Sequence, residues 1–336
     1  MKYRLLVNLF LVFVSNSILC QVKLIDGFVY DAETKQPLAY ANIRISNSSI
    51  GTISNKNGYF RLNDISKSKL ILISYIGYSM KYISSDTFVN NSIVFIEQNA
   101  IMLDEISITP DDRYLYEIFN RCRTKFIKNK LVQKSKVYCK LETYKDESLT
   151  ELMECYYNAN FSGCELDDLN IKTGRVGLRP IDHGLFISTE TSKVILSNIL
   201  SKEDLRFPSN PFQLSEKKLK KLYRFFLVDR NDNDSLPYIT IGFKPKDTTN
   251  NLFAGQVLIH TKTNNPINIT FKRRMYSNFP VHSLHPDNKM NRLDLEIART
   301  YEEIEDILYF KYISLKYNAN IQNRFIANTD ISTNAV

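Results

Sequence analysis

The stretch VKLIDGFVYDAETKQPLAYANIRI, Val22 to Ile45, opens the segment that decides the predicted fold and continues to Ile83. Near its end, every second residue is apolar and shares one face of a strand: Ala39, Ala41, Ile43 and Ile45. Tyr40, Asn42 and Arg44 lie between them and face the other way. One buried face and one wetted face are typical of an antiparallel sheet.

Turn signals divide the rest of this segment into short strands. The dipeptide Asn57-Gly58 tolerates positive φ and therefore favours a tight hairpin. The run from Leu70 to Tyr75 is apolar on both faces, which suits a central strand, and Gly77 interrupts it. Short strands with turn signals roughly every 8–12 residues predict a β-sandwich.

Five pieces of this segment resemble, in order, the carboxypeptidase regulatory-like domain. They are Gly27-x-Val29, Pro37–Ile43, Gly51-Thr52, Asn57–Phe60 and Ser74–Tyr78. The resemblance covers residues 22–108 and implies a transthyretin-like sandwich, an accessory module without peptidase residues. Such domains stand at the front of exported proteins and TonB-dependent transporters of Gram-negative bacteria. Asn55 stands where the family commonly has Asp, so no role of that carboxylate is expected here.

The first twenty residues have the pattern of a signal peptide. Lys2 and Arg4 precede an apolar run from Leu5 to Val14, which is too short to span a membrane comfortably. Cys20 leaves two alternatives open, cleavage before Gln21 or lipidation of the cysteine itself. No later run reaches 18 apolar residues, so no further membrane-spanning helix is expected. The chain is therefore expected in the periplasm or in association with the outer membrane.

Length and charge narrow the classes of partner. A chain of 336 residues with 43% hydrophobic residues predicts two domains. The net charge of +8, or about +6 without Lys2 and Arg4, is spread over the chain. Nucleic-acid binding would need a basic face with a reading element, and neither is evident. The charge instead favours a solvated face or attraction to an anionic membrane or glycan surface.

A helical period separates two β-rich regions. Apolar residues recur at spacings of three and four between residues 111 and 131, which predicts a linker helix over 110–134. The predicted domains are therefore a signal peptide at 1–20, a sandwich at 21–109, the linker helix, a β-rich domain at 135–320 and a tail at 321–336. The fold class is mainly β, with a curved, half-barrel-like antiparallel sheet in the second domain.

Two cysteines are predicted to lie opposite each other in a hairpin that turns near residue 147. The alternation on both sides of the turn places Cys139 opposite Cys155 and Lys140 opposite Glu154, a favourable pair of charges. An exported protein meets an oxidising environment, so Cys139 and Cys155 form a candidate disulfide. Two small buried thiols are the alternative interpretation.

The second region also has a relative. The runs Ile241–Lys246, Phe253–Ile259 and Pro266-Ile267 resemble an exported bacterial domain of unknown function that often follows the regulatory-like module. The resemblance covers residues 111–317. The repeated hairpins predicted for the second region of this chain also look like the half-barrel of lipoprotein carriers, whose cavity holds lipid chains.

Candidate sites for chemistry are few. A metal could bind near His282, His285 and Asp287, with Asp294 and Glu296 adding oxygens, but surface polar residues are the simpler interpretation. Asp182-His183 lacks a nucleophile in a suitable context, and Asn231–Asp234 lacks the Gly and Glu that a calcium loop requires. No cofactor and no metal are therefore expected.

The sequence thus predicts an exported, non-catalytic binding or scaffolding protein of the cell envelope. Its partner would be a glycan, another envelope component or a protein, with a TonB-dependent transporter system as one setting. The alternative is a carrier or sensor that holds an apolar, lipid-like ligand in the curved sheet. Enzymatic activity and nucleic-acid binding are not expected.

Overall fold

The structure is a computed structural model. It describes residues 24–46, 50–63, 69–75, 77–98, 112–145, 148–163, 165–179, 208–232, 237–249, 251–276, 289–304, 307–322 and 329–335. The chain divides into two compact units, Met1–Gln98 and Asn99–Val336. The described residues are mainly β-strand with two helices, which confirms the predicted fold class.

Among the residues described, the first unit contains seven strands in two sheets. The strands are β1 Ile25–Asp31, β2 Asn42–Ile45, β3 Gly51–Ile53, β4 Tyr59–Leu62, β5 Leu70–Ser74, β6 Lys81–Ser84 and β7 Ser92–Ile96. One sheet has the order β4-β1-β7 and the other β3-β2-β5-β6. Val29 from the first sheet and Ile43 from the second belong to the same buried core, as a sandwich requires. The β1–β7 pair is parallel, which the expected antiparallel pattern did not predict.

The turn at Asn57-Gly58 joins β3 to β4, but the predicted hairpin is wrong, because these two strands belong to different sheets. Gly58 has φ +74°, and a Cβ on it would lie 2.5 Å from the Val29 carbonyl oxygen, so only glycine fits there. The Asn55 side-chain oxygen accepts hydrogen bonds from the backbone N–H groups of Asn57 and Tyr59, at 2.9 and 3.0 Å. An amide oxygen at position 55 therefore stabilises the turn without the usual carboxylate.

Ten strands of the second unit form one antiparallel sheet. They are β8 Val132–Lys145, β9 Ser148–Ser162, β10 Glu165–Leu178, β11 Tyr223–Asn231, β12 Tyr238–Pro245, β13 Ala254–His260, β14 Pro266–Tyr276, β15 Lys289–Ile304, β16 Ile307–Gln322 and β17 Thr329–Ala335. The sheet is open and curved, in the order β10-β9-β8-β17-β16-β15-β14-β13-β12-β11. β13 and β14 approach each other closely at Gly255, where a Cβ would lie 1.9 Å from the Thr270 carbonyl oxygen.

The last described strand differs from the predicted tail at 321–336. β17 pairs with β16 on one side and with β8 on the other, with Thr333 opposite both Tyr317 and Thr143. It therefore joins the β8–β10 strands to the β11–β16 meander. Short polar stretches resemble tails in sequence, whereas a strand between two others gains ladder hydrogen bonds on both sides.

The predicted linker helix is part of the second unit's core. Helix α1, Asp112–Lys128, buries Leu115, Phe119 and Cys122 in the same cluster as apolar residues of the sheet. The rings of Phe119 and Phe225 are 4.7 Å apart, and Phe119 also contacts Phe243 at 6.1 Å. The helix ends six residues before the predicted boundary at 134, because β8 begins at Val132. A second helix, α2 Glu216–Leu222, is capped by the Ser215 hydroxyl.

Candidate functional site

The outward side of α1 lines a polar cleft of about 580 Å³. Its lining consists of Arg113, Tyr116, Glu117, Asn120, Arg121, Glu216 and Lys220. A second cleft of about 360 Å³ shares Asn120 and Arg121 and adds Thr124, Lys125 and Lys128. The spacing of four residues between Arg121 and Lys125 places both on one helical face. The two clefts therefore form one groove along α1.

The first cleft is nearly neutral. The Arg113 guanidinium lies 3.3 Å from a Glu117 carboxylate oxygen, and the Lys220 ammonium lies 3.0 Å from Glu216. The hydrogen bond from Lys220 is the main cause that lowers the pKa of Glu216. Burial raises the pKa of Tyr116 to about 12, so its hydroxyl stays protonated at neutral pH.

The second cleft is cationic. Arg121, Lys125 and Lys128 line it, and no acidic side chain does. Lys125 donates to the Thr263 carbonyl oxygen at 3.0 Å and reaches the Glu303 carboxylate only at 3.8 Å. This part of the groove therefore offers a positive potential that a carboxylate, sulfate or phosphate group would complement.

The predicted hairpin register is confirmed. Cys139 lies opposite Cys155 and Lys140 lies opposite Glu154, in the pairing of β8 with β9. Both thiols are buried and unbonded in this structure, as is Cys122 on α1. Burial, with Cys155 nearby, raises the pKa of Cys139 to about 12, so this thiol is protonated at neutral pH. The disulfide itself stays a prediction.

Most of the other residues singled out from the sequence lie outside the part of the chain that the structure describes. His282, His285, Asp287, Asp182 and His183 lie outside the described residues. Two described carboxylates already have partners: Asp294 accepts from the Met275 N–H at 2.9 Å, and Glu296 lies 2.7 Å from the Lys272 ammonium. Of Asn231–Asp234, only the first two are described, at the end of β11. Within the described part of the chain, no group of three potential metal ligands occurs.

Several buried charged residues were missed from the sequence, among them Glu151 and Arg299. Glu151 is 2% exposed, its Oε2 accepts from the Thr143 hydroxyl at 2.8 Å, and burial raises its pKa to about 7. Arg299 is 7% exposed, and its guanidinium lies 5.7 Å from the centre of the Phe271 ring. Each stands in the apolar phase of its strand, since Met153 and Ile297, two residues away, are buried. A charged residue at a position where the alternation predicts an apolar one was the sequence signal that could have predicted this burial.

Aromatic rings fill the face of the sheet that α1 covers. Phe126 contacts Phe212 at 5.2 Å and Tyr301 at 5.4 Å, between ring centres. The Tyr301 ring in turn contacts Phe310 on the neighbouring strand. Tyr301 is therefore a core residue, and Phe310 is partly buried and packs against the core. In this arrangement, an apolar ligand on that face would have to replace α1 contacts.

One family and several solved structures are similar to parts of the chain. Residues 25–108 match the family model of the CarboxypepD_reg-like domain, which confirms the resemblance for the first unit. No curated protein sequence matched the chain. Among the described residues, none of the helices is both long and apolar enough to cross a membrane.

The solved structures share low identity with this chain. A DUF1329 family protein from Desulfovibrio piger is 8% identical over 68% of this chain and 92% of its own, with a TM-score of 0.26. A putative outer membrane lipoprotein-sorting protein domain from Vibrio parahaemolyticus is 11% identical, over 67% and 91%, with a TM-score of 0.27. The MucA/MucB complex of Pseudomonas aeruginosa contains a chain that is 9% identical over 66% of this chain and 92% of its own, with a TM-score of 0.20.

Proposed function

We propose that this chain is an exported, non-catalytic binding or scaffolding protein of the bacterial cell envelope. The groove along α1 would contact an anionic envelope component, either a glycan or an acidic segment of a partner protein. The observation that carries this proposal is the cationic end of the groove, where Arg121, Lys125 and Lys128 face solvent without an acidic lining residue.

The first unit supports the same role. Its match to the CarboxypepD_reg-like domain is a match to an accessory module, which suits a chain that binds rather than catalyses. A place in the periplasm or at the outer membrane, and a link to a TonB-dependent transporter system, belong to this proposal. The carrier alternative would instead need a lipid chain to take the place of the α1 contacts.

Charge makes the proposal testable. Exposed charges are screened over about 10 Å at 0.1 M salt, so binding through the groove should weaken as salt rises. The probes are a sulfated polysaccharide and a neutral dextran of similar size, each titrated into the mature protein. We expect the sulfated polymer to bind and the dextran not to bind.

Charge reversals locate the contact. Arg121→Glu with Lys128→Glu should weaken binding of the sulfated polymer at least about tenfold. The matched control reverses Lys134 and Lys136, two exposed residues of β8 outside the groove. Equal losses in both double variants would contradict a role for the groove. A lipid retained by the wild-type protein in native mass spectra, without polymer binding, would favour the carrier alternative.

A further inference from the structure

β10 ends the large sheet and pairs only with β9 among the described strands. Its first half is protected against pairing with another strand. The register shifts between Leu166 and Asp168 and again between Ile171 and Thr173, and charged side chains such as Lys172 lie there. Bulges and charges are the usual devices that blunt the edge of a sheet.

The second half of β10, from Thr173 to Leu178, lacks this protection. It pairs with β9 in regular register. Its single charged residue, Arg175, is held in an ion pair by Glu154 of β9. A regular, nearly uncharged strand at the edge of a sheet is a template for another strand.

The backbone groups that face outward can be assigned. The Arg179 N–H donates to the Thr150 carbonyl oxygen of β9 at 2.7 Å. Because backbone groups alternate in direction along a strand, Gly174, Val176 and Leu178 present their N–H and C=O groups to the edge that no described strand covers. Only an extended polypeptide matches a row of alternating donors and acceptors with this spacing.

Apolar side chains accompany those backbone groups. Val176 is 53% exposed and Leu178 is 59% exposed. Val176 lies opposite Met153, which is buried in the core of the second unit, so the two share one face of the sheet. A strand added at this edge would cover both exposed side chains and extend the core by one strand.

We propose that the occupant of this edge is β10 of a second copy of the chain, in an antiparallel pair with a twofold axis at Val176. This pairing places Val176 opposite its own copy and Gly174 opposite Leu178. Arg175 would lie opposite Gly177 of the second copy. Apart from its chain neighbours, no atom of the described residues lies within 4 Å of the position a Cβ on Gly177 would take, so these residues leave room for the arginine side chain.

The charges select this register over its neighbours. A shift to a twofold axis at Arg175 would place the two Arg175 side chains directly opposite each other. A shift the other way, to Gly177, would place Arg175 opposite Arg179. Like charges directly opposite destabilise a strand pair. In the register centred on Val176, Arg175 meets a glycine and Arg179 meets Thr173, which is why a second copy fits this edge.

The dimer goes beyond the proposed function and does not depend on it. The interface is short, so we expect a weak dimer with a dissociation constant in the micromolar range. Sedimentation velocity of the mature protein, over concentrations from about 1 to 200 µM, measures it. Wild type should pass from monomer to dimer across that range.

Variants of two residues test the geometry. Val176→Pro removes an outward N–H without removing a bond to β9, so it should abolish the dimer, and Val176→Thr keeps the N–H and should retain it. Gly177→Glu places a carboxylate opposite Arg175 in both halves of the pair and should tighten the dimer by about 2- to 30-fold. Gly177→Arg should weaken it by a similar factor.

Opposite effects of the two Gly177 substitutions could not arise from misfolding alone. A wild-type protein that stays monomeric throughout the range would overturn the proposal. So would a dimer that persists in Val176→Pro and ignores both Gly177 substitutions, because it would form elsewhere. A monomer that still binds the sulfated polysaccharide would overturn the dimer and leave the role of the groove intact.

Discussion

Oxidation of the hairpin cysteines should lock β8 to β9. Cys139 and Cys155 lie directly opposite each other, and Cα atoms in such pairs are about 4.5–5.5 Å apart, within the range that a disulfide spans. Exchange with oxidised glutathione would join the two sulfur atoms and release two molecules of reduced glutathione. The product is a covalent link across one hairpin.

The stabilisation follows from the length of the closed loop. A loop of about 15 residues, such as the one between these cysteines, corresponds to about 3 kcal/mol of unfolding free energy. Strain reduces this value. The Arg179 N–H of β10 donates to Thr150 of β9. Because backbone groups alternate in direction along β9, the N–H and C=O groups of Cys155 point to β8. Cys139 and Cys155 are therefore a hydrogen-bonded pair, in which the Cβ atoms lie about 5.5 Å apart. A disulfide needs about 3.8 Å, so the strands must approach and the bond should be readily reduced.

Urea unfolding of oxidised and reduced protein measures the difference. The oxidised form should be more stable by up to about 3 kcal/mol, and intact mass should fall by two hydrogens per bond. Cys139→Ser should abolish both effects, whereas Cys122→Ser, on α1, should leave them unchanged. Free thiols at both positions after oxidation, or equal unfolding midpoints, would refute the reasoning.

Three further predictions concern stability. Burial raises the folded-state pKa of Glu151 to about 7 from an ordinary 4.5, so the free energy of unfolding should fall as pH rises from about 4.5 to 7. Glu151→Gln should flatten that profile and should raise the free energy of unfolding at pH 8 by at most roughly 3 kcal/mol. Urea titrations at several pH values would check both effects. Because Phe119 of α1 lies in the core, Phe119→Ala should lower the free energy of unfolding by about 3–5 kcal/mol. An unchanged free energy of unfolding would contradict this position and would indicate that α1 is a linker. Gly255→Ala should cost about 1–3 kcal/mol by thermal or urea unfolding, whereas Gly177→Ala should change stability by less than about 0.5 kcal/mol.

Local features of this fold could be predicted from the sequence. The pairing of Cys139 with Cys155 follows from alternation on both sides of one turn, because a one-residue slip would turn every side chain to the wrong face. The turn at Gly58 follows because positive φ strongly favours glycine.

The candidate site could not be predicted in this way. The groove combines residues of α1 with Glu216 and Lys220, which lie about a hundred positions later in the chain. Its charges look like any solvated helical face until the tertiary structure shows which of them have partners. Likewise, the apolar phase of a strand does not reveal that a carboxylate at Glu151 is buried.

The sequence by itself determined strand content, the turn at Gly58 and the β8–β9 register, because each depends on residues close together in the chain. Only the tertiary structure decided that α1 lies in the core and that β17 stands between β16 and β8. The physical reason is that Thr333 and Thr143, which pair in the sheet, are separated along the chain by most of the second unit. A pairing between residues so far apart along the chain is favoured only when the complete sheet buries its apolar side chains, so no local sequence pattern predicts it.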